Sequence, residues 1–239
     1  MAQAQLEWGL TVLERLPLRG DETVLDAGCG AGRLTERLLE RLPQGRVLAV
    51  DASEDMVRKA AERLGDRARV WRADLAELEL DEPVDAIFSN AVFHWIPDHR
   101  RLFERLYAAL RPGGRLVAQC GGKGNVARLM RVLQPLAAEE RFAPHVAGVE
   151  RLWRFASAEE TGQSLRDAGF TDVQTSLQPW AVRPAQPRDF LRVVCIGPHL
   201  EALPEELREP FLDAVLEAMG QPLELDYVRL NIDARRPAE

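Results

Sequence analysis

The chain has 239 residues, 46% of them hydrophobic, which is enough for a core and excludes wholesale disorder. Its 31 basic and 38 acidic residues leave a formal net charge of −7. That balance argues against a general nucleic-acid binder, which needs a basic face, but leaves room for a local basic pocket.

No apolar run approaches the roughly 20 residues of a membrane span. Residues 1–10 hold Glu7 and no basic residue, so a signal peptide is not expected and a cytoplasmic location is. Cys29, Cys120 and Cys195 are odd in number and form no CxxC pair, which points away from a disulfide framework and from zinc.

The first half alternates short apolar runs with helical periodicity, the pattern of a parallel α/β sheet. Strands are expected at 23–27, 46–50, 69–72, 84–89 and 116–120. Helices are expected at 33–42, where Leu34, Leu38, Leu39 and Leu42 share a face, at 53–64 with Ser53 as N-cap, and at 100–110. Arg111-Pro112-Gly113-Gly114 reads as a helix stop and turn. Beyond it, 126–140 and 158–168 read as helical, 172–178 as a strand, 205–219 as a helix and 225–234 as an alternating strand that returns to the sheet. The whole chain, 1–239, reads as one domain. Insertions at about 122–156 and 179–222 are expected to fold together as a partly helical lid over one sheet edge.

Three motifs end successive strands, where open α/β sheets bind ligands. The first is Asp26-Ala27-Gly28-Cys29-Gly30-Ala31-Gly32, a strand running into a glycine loop and a helix. A dinucleotide loop needs GxGxxG, but Arg33 stands where the third glycine would be. Asp26 would repel a pyrophosphate and favour a cationic amino-acid ligand; the plain alternative is a strand–turn–helix. The second is Asp51, which could take both hydroxyls of a ribose or simply cap a turn. The third is Asp74, which could accept from an adenine amino group or cap a helix.

Taken jointly, these motifs make the chain resemble the class I S-adenosylmethionine (SAM)-dependent methyltransferases, from about residue 23 to 178 plus the final strand. Leu110-Arg-Pro-Gly-Gly-Arg-Leu116 looks like that family's post-helix motif, and Ser89-Asn90-Ala91 with His94-Trp95 resembles the group of trans-aconitate and malonyl-carrier-protein methyltransferases. The resemblance implies a Rossmann-like, seven-stranded, mostly parallel sheet with the last strand antiparallel and helices on both faces. It implies SAM as cofactor, with Asp26, Gly28 and Gly30 at its methionine end. Asp51 would lie on its ribose, Ala52 and Met56 near its adenine, Asp74 and Leu75 at the adenine edge, and the Asn90 backbone on the methionine part. No metal is implied.

His94 would project toward the methyl acceptor, either orienting it or taking a proton; the alternative is a histidine packed beside Trp95. Arginines at 128, 131, 141, 151, 154, 183, 188 and 192 lie in the insertions, and Arg154, between Trp153 and Phe155, is the chosen anchor for an acceptor carboxylate. Solvated surface charge is the alternative for each. Ahead of the first strand, Gln3, Gln5 and Trp8 on a short helix are the candidates for closing over the cofactor.

The expected activity is SAM-dependent methyl transfer to a small molecule, at a carboxylate oxygen. The competing readings are carboxyl methylation of an acyl chain on a carrier protein, and a non-catalytic SAM-binding module. Asp26 and the failed GxGxxG spacing weigh against a nucleotide-dependent oxidoreductase.

Overall fold

The computed structural model describes residues 2–239, with side chains for all of these except 2–7, 150 and 151. Gln3, Gln5 and Arg151 therefore lie outside the described side chains.

Seven strands form one sheet: β1 (Thr23–Ala27), β2 (Arg46–Asp51), β3 (Ala68–Arg72), β4 (Val84–Asn90), β5 (Leu110–Gly121), β6 (Thr171–Val182) and β7 (Leu225–Arg235). Their spatial order is β3-β2-β1-β4-β5-β7-β6. β1 to β5 pair in parallel, and β7 runs antiparallel to both β5 and β6. This is the expected Rossmann-like sheet with its last strand reversed.

The central strands are near-continuous apolar runs because helices cover both faces. All five residues of β1 are buried. One face packs Leu25, Ile87, Leu116 and Ile232 against Leu102, Phe103 and Leu106 of α4 (His99–Ala109). The other face packs Val24, Val47 and Phe88 against Val12, Leu13 and Leu16 from α1 (Ala2–Glu14) and the turn after it, and against Leu38 of α2 (Arg33–Glu40). Each such side chain stabilises the fold by about 2 kcal/mol through its burial. Ser53 caps α3 (Glu54–Leu64), accepting from the Met56 amide.

The inserted segments share a third core. Leu129 and Leu133 of α5 (Ala127–Ala137) and Val146 of the short α6 (Ala143–Val146) meet Phe211, Leu212 and Val215 of α10 (Glu205–Met219). The chain reaches α10 through α7 (Ala158–Asp167), β6, α8 (Pro187–Phe190), a π-helical stretch at Leu191–Cys195 and α9 (Gly197–Ala202). α7 opens with a full capping box between Ser157 and Glu160.

The largest boundary differences from expectation are in β5 and β6. β5 begins at Leu110, which pairs with Val84, and Arg115 then pairs with Ala86, so 111–114 bulges out of the ladder where a plain turn was expected. β6 runs on to Val182, past the expected end at 178, because Pro179 sits on an edge strand, where a missing N–H breaks no central ladder.

Candidate active site

The strand ends of β1, β2 and β4 converge on the glycine loop. Gly28 and Cys29 both donate backbone N–H to the Val50 carbonyl, at 2.9 and 2.8 Å, which ties the loop to β2. Gly28 has φ +89°, and a Cβ there would come 2.2 Å from Val92. Only glycine fits both the backbone and the space. Gly30, at φ +53°, is different: a Cβ would meet nothing within 4 Å. Its neighbourhood is open for a ligand.

Asp51 organises this loop. Its Oδ2 accepts from the Gly30 amide and its Oδ1 from the Ser53 amide, both at 2.9 Å. Asp26 lies beneath, 2% exposed, with its Oδ2 accepting from the Thr35 hydroxyl at 2.7 Å. It braces β1 to α2 and is absent from the cavity wall, so its expected place along the ligand is corrected to a place under the loop. Burial raises its pKa to about 7, against the Thr35 hydrogen bond and with a smaller push from Asp51.

A cavity of about 660 Å³ opens from this loop. Gly28, Gly30, Met56 and Asn90 line it on the sheet side. The Asn90 Oδ1 is buried with no hydrogen-bond partner, an acceptor left open for a ligand's N–H. Ala91, next to it, holds φ +62°, a strained conformation for a residue with a Cβ, at the point where β4 turns into the wall. Asp51, Ala52, Asp74 and Leu75 sit outside the lining of this cavity. Asp74 caps the 3₁₀ turn Leu75–Glu77 by accepting from the Ala76 amide at 2.9 Å. The Leu75 side chain is buried in the core, so only its backbone is available to a ligand.

The far wall comes from the rest of the chain. His94, on the 3₁₀ turn Phe93–Trp95, lines the cavity between the rings of Trp95 and Phe155. Its Nδ1 accepts from the Gly121 amide at 3.2 Å, so the ring proton belongs on Nε2. Burial, reinforced by the Arg229 charge, pushes its pKa down to about 3. At neutral pH it is an uncharged donor, and its one lone pair is held by the Gly121 amide, an arrangement that suits orienting an acceptor more than taking a proton.

Arg154 is not in the cavity wall. It is exposed, and its guanidinium donates to the Pro97 carbonyl at 2.8 Å. The other insertion arginines are likewise occupied: Arg141 pairs with Glu139, Arg183 with Glu224, Arg188 with both Glu209 and Asp213, and Arg192 with Glu209. Arg128 donates to the Met219 carbonyl, and Arg131 is exposed outside the wall.

Among the described residues two arginines line the cavity, the exposed Arg33 and the buried Arg229 of β7, and the sequence reading singled out neither as a ligand for the acceptor. Arg229 is 7% exposed. Its Nε donates to Gln119 Oε1 at 2.9 Å, and its guanidinium lies 4.5 Å from the Trp8 ring centroid and 5.9 Å from that of Tyr227. Among the described residues it has no carboxylate partner, and desolvation lowers its pKa. A buried cation without a counter-ion is costly unless a ligand supplies one.

Comparison with known proteins agrees with this geometry. A methyltransferase-domain family matches residues 24–114. The chain is 35% identical over 224 residues to a trans-aconitate 2-methyltransferase of Azoarcus sp. strain BH72, spanning 85% of this chain and 79% of the relative. The chain belongs to the class I SAM-dependent methyltransferases. A second trans-aconitate 2-methyltransferase, from Methylobacterium nodulans, is 34% identical over 94% of this chain and 91% of its own length. The fold is also that of Haemonchus contortus phosphoethanolamine N-methyltransferase 2, solved with S-adenosyl-L-methionine, at a TM-score of 0.64 and 21% identity. That superposition covers 97% of this chain, which spans about half (52%) of that methyltransferase.

The cofactor of this methyltransferase is SAM, and the residues present suit it: an open glycine loop, an unpartnered buried amide oxygen at Asn90 and acidic groups at Asp26 and Asp51. Among the described residues no cluster could hold a metal ion, and no helix is long and apolar enough to cross a membrane.

Proposed function

We propose that the chain is a carboxyl O-methyltransferase acting on a small organic acid. The observation that carries this reading is Arg229, a buried guanidinium with no carboxylate partner among the described residues, in the same cavity as the glycine loop. An acceptor carboxylate is the natural complement of that fork. Relatives named for methylating trans-aconitate, a free acid, favour this over an acyl group on a carrier protein.

In this reading Asp51 keeps lone pairs for the ribose hydroxyls while its oxygens hold the Gly30 and Ser53 amides. Ala52 and Met56 flank the adenine, and Asp74 with the Leu75 backbone meets its edge. Asn90 accepts from the methionine ammonium, and Asp26, whose burial raises its pKa to about 7, ionises below the loop as that cation binds. The insertions over the edge of the sheet act as the lid that excludes water.

SAM supplies, when bound, a methyl group already activated by its sulfonium. The protein's task is therefore alignment, not proton removal. A carboxylate is ionised at neutral pH and needs no base, which suits a His94 that is neutral and donates through Nε2. Arg229 fixes one carboxylate face, His94 restrains an oxygen, and the other oxygen is left to attack.

The test is to incubate purified protein with methyl-labelled SAM and a panel of carboxylic acids, and to look for base-labile methyl esters by mass spectrometry. Ester formation that disappears with the corresponding amides supports the reading. Methyl transfer only to amines or carbon acceptors, or no ester from any acid by protein that binds S-adenosylhomocysteine, sinks it.

A further inference from the structure

Among the described residues, Arg229 is the one buried charge in the cavity wall. Arg229 has its Nε occupied by Gln119, and its two terminal nitrogens make no hydrogen bond among the described residues. The other cation in the wall among the described residues, Arg33, is exposed and opens α2 on the glycine-loop side. Of the insertion arginines, Arg141, Arg183, Arg188 and Arg192 lie outside the cavity wall and are neutralised by Glu139, Glu224, Glu209 and Asp213.

The rest of the cavity wall is mostly apolar. Trp8, Leu129, Met130, Trp153, Phe155 and Val194 make up that part, Trp95 and Val193, exposed at 42% and 65%, extend it to the rim, and the polar members Asn125, Tyr227 and His94 are uncharged at neutral pH. A polycarboxylate placed here would satisfy one carboxylate on Arg229 and hold the rest against a wall that offers no second buried cation among the described residues. Such burial of unpaired charge is strongly unfavourable. A molecule with one carboxylate and an apolar body meets both parts of the site.

Resting on the carboxyl-methyltransferase reading, we infer that the acceptor is a monocarboxylic acid with an aliphatic or aromatic body, its carboxylate on Arg229 and its body against the Trp8–Trp153–Val194 wall. The preference departs from that named for the relatives, whose acid carries three carboxylates.

The experiment uses the full chain saturated with S-adenosylhomocysteine. Butanoate, hexanoate, octanoate, 3-phenylpropanoate and trans-aconitate are titrated calorimetrically, and the same acids are then assayed for methyl-ester formation with SAM. Affinity should tighten about fourfold per added methylene until the wall is filled, the slope expected of hydrophobic transfer. 3-Phenylpropanoate should exceed trans-aconitate by at least about tenfold in kcat/KM. Arg229→Gln should weaken acid binding roughly 100-fold, with S-adenosylhomocysteine affinity unchanged to show that the variant is folded. Arg229→Lys, which keeps the charge and loses the fork, should fall between. A flat chain-length series, or trans-aconitate as the preferred acid, overturns this inference while leaving carboxyl methylation standing. Absence of ester from every acid overturns both.

Discussion

The wall from Gly28 to Ala31 is backbone that parallel strands deliver to one edge of the sheet. The wall from Trp8 to Arg229 is side chains contributed by stretches far apart in the chain, from α1, the turn after β4, α5, the π-helical stretch and β7. In the first, specificity comes from N–H and C=O groups held in place by strand pairing, and side chains matter mainly by being absent. In the second, one guanidinium and a shell of apolar groups do the selecting. A backbone site tolerates little change in shape, whereas a side-chain site can be retuned one residue at a time, so the two halves should break differently.

The largest effect is expected on the backbone side. Gly28→Ala places a Cβ 2.2 Å from Val92 at φ +89°, and overpacking plus left-handed strain should cost about 4 kcal/mol of stability in denaturant unfolding. Gly30→Ala sharpens the contrast: with open space around it, stability should fall by only about 1 kcal/mol, while calorimetric S-adenosylhomocysteine affinity drops because the methyl enters the ligand's space.

Next comes Asp26. Its folded pKa, about 7, lies above the ordinary 3.8, so its contribution is full below about pH 3.8 and is lost as pH rises through 7. His94 has the opposite sign: with a folded pKa near 3 against 6.5, its contribution is present above 6.5 and lost as pH falls toward 3. Between about pH 4 and 6.5 the two oppose each other. Asp26→Asn should unmask the His94 trend, tilting ligand-free stability against pH by roughly 1 kcal/mol per unit, rising with pH. An unchanged slope in thermal or urea melts would refute the burial account of Asp26.

Asp51→Ala releases the Gly30 and Ser53 amides together. Losing hydrogen bonds to a charged group should weaken S-adenosylhomocysteine by about 2 kcal/mol, roughly thirtyfold, in titration. The smallest effect belongs to the other wall. Trp8→Leu removes the ring under Arg229, and acid affinity should fall by about 1 kcal/mol, roughly fivefold, with cofactor affinity unmoved.

The same division governs what the sequence could reveal. The glycine loop that the proposed function gives to the cofactor was legible as a strand–loop–helix because its residues are contiguous: a buried strand, glycines at fixed spacing and an acid at the end of the next strand. Even there, the sequence could not say that Asp26 would turn under the loop toward Thr35, since the direction of a side chain at a strand end depends on what packs over it. The acceptor half was legible only in part. His94 was found from its neighbours, but its tautomer depends on the Gly121 amide, which β5 brings to it. Arg154 drew attention as a cation between two aromatic residues, yet its guanidinium reaches the Pro97 carbonyl outside the cavity. Arg229 hid inside a strand of alternating character, where an arginine reads as the solvent face. It lies on the same face as Leu225 and Tyr227, and the inserted helices cover that face, so the alternation marks two buried sides.

The position of β7 has a consequence for how the molecule comes into being. It follows β6 in the chain but lies between β5 and β6 in the sheet. As the polypeptide leaves the ribosome, β2, β3, β4 and β5 each find a neighbour already made, whereas β6 has none until β7 emerges and slots in beside it. Arg229 arrives with that last strand. On the carboxyl-methyltransferase reading, the glycine loop is thus in place before the guanidinium meant for the acid, and a stalled fragment ending ahead of β7 would lack the second whatever it made of the first.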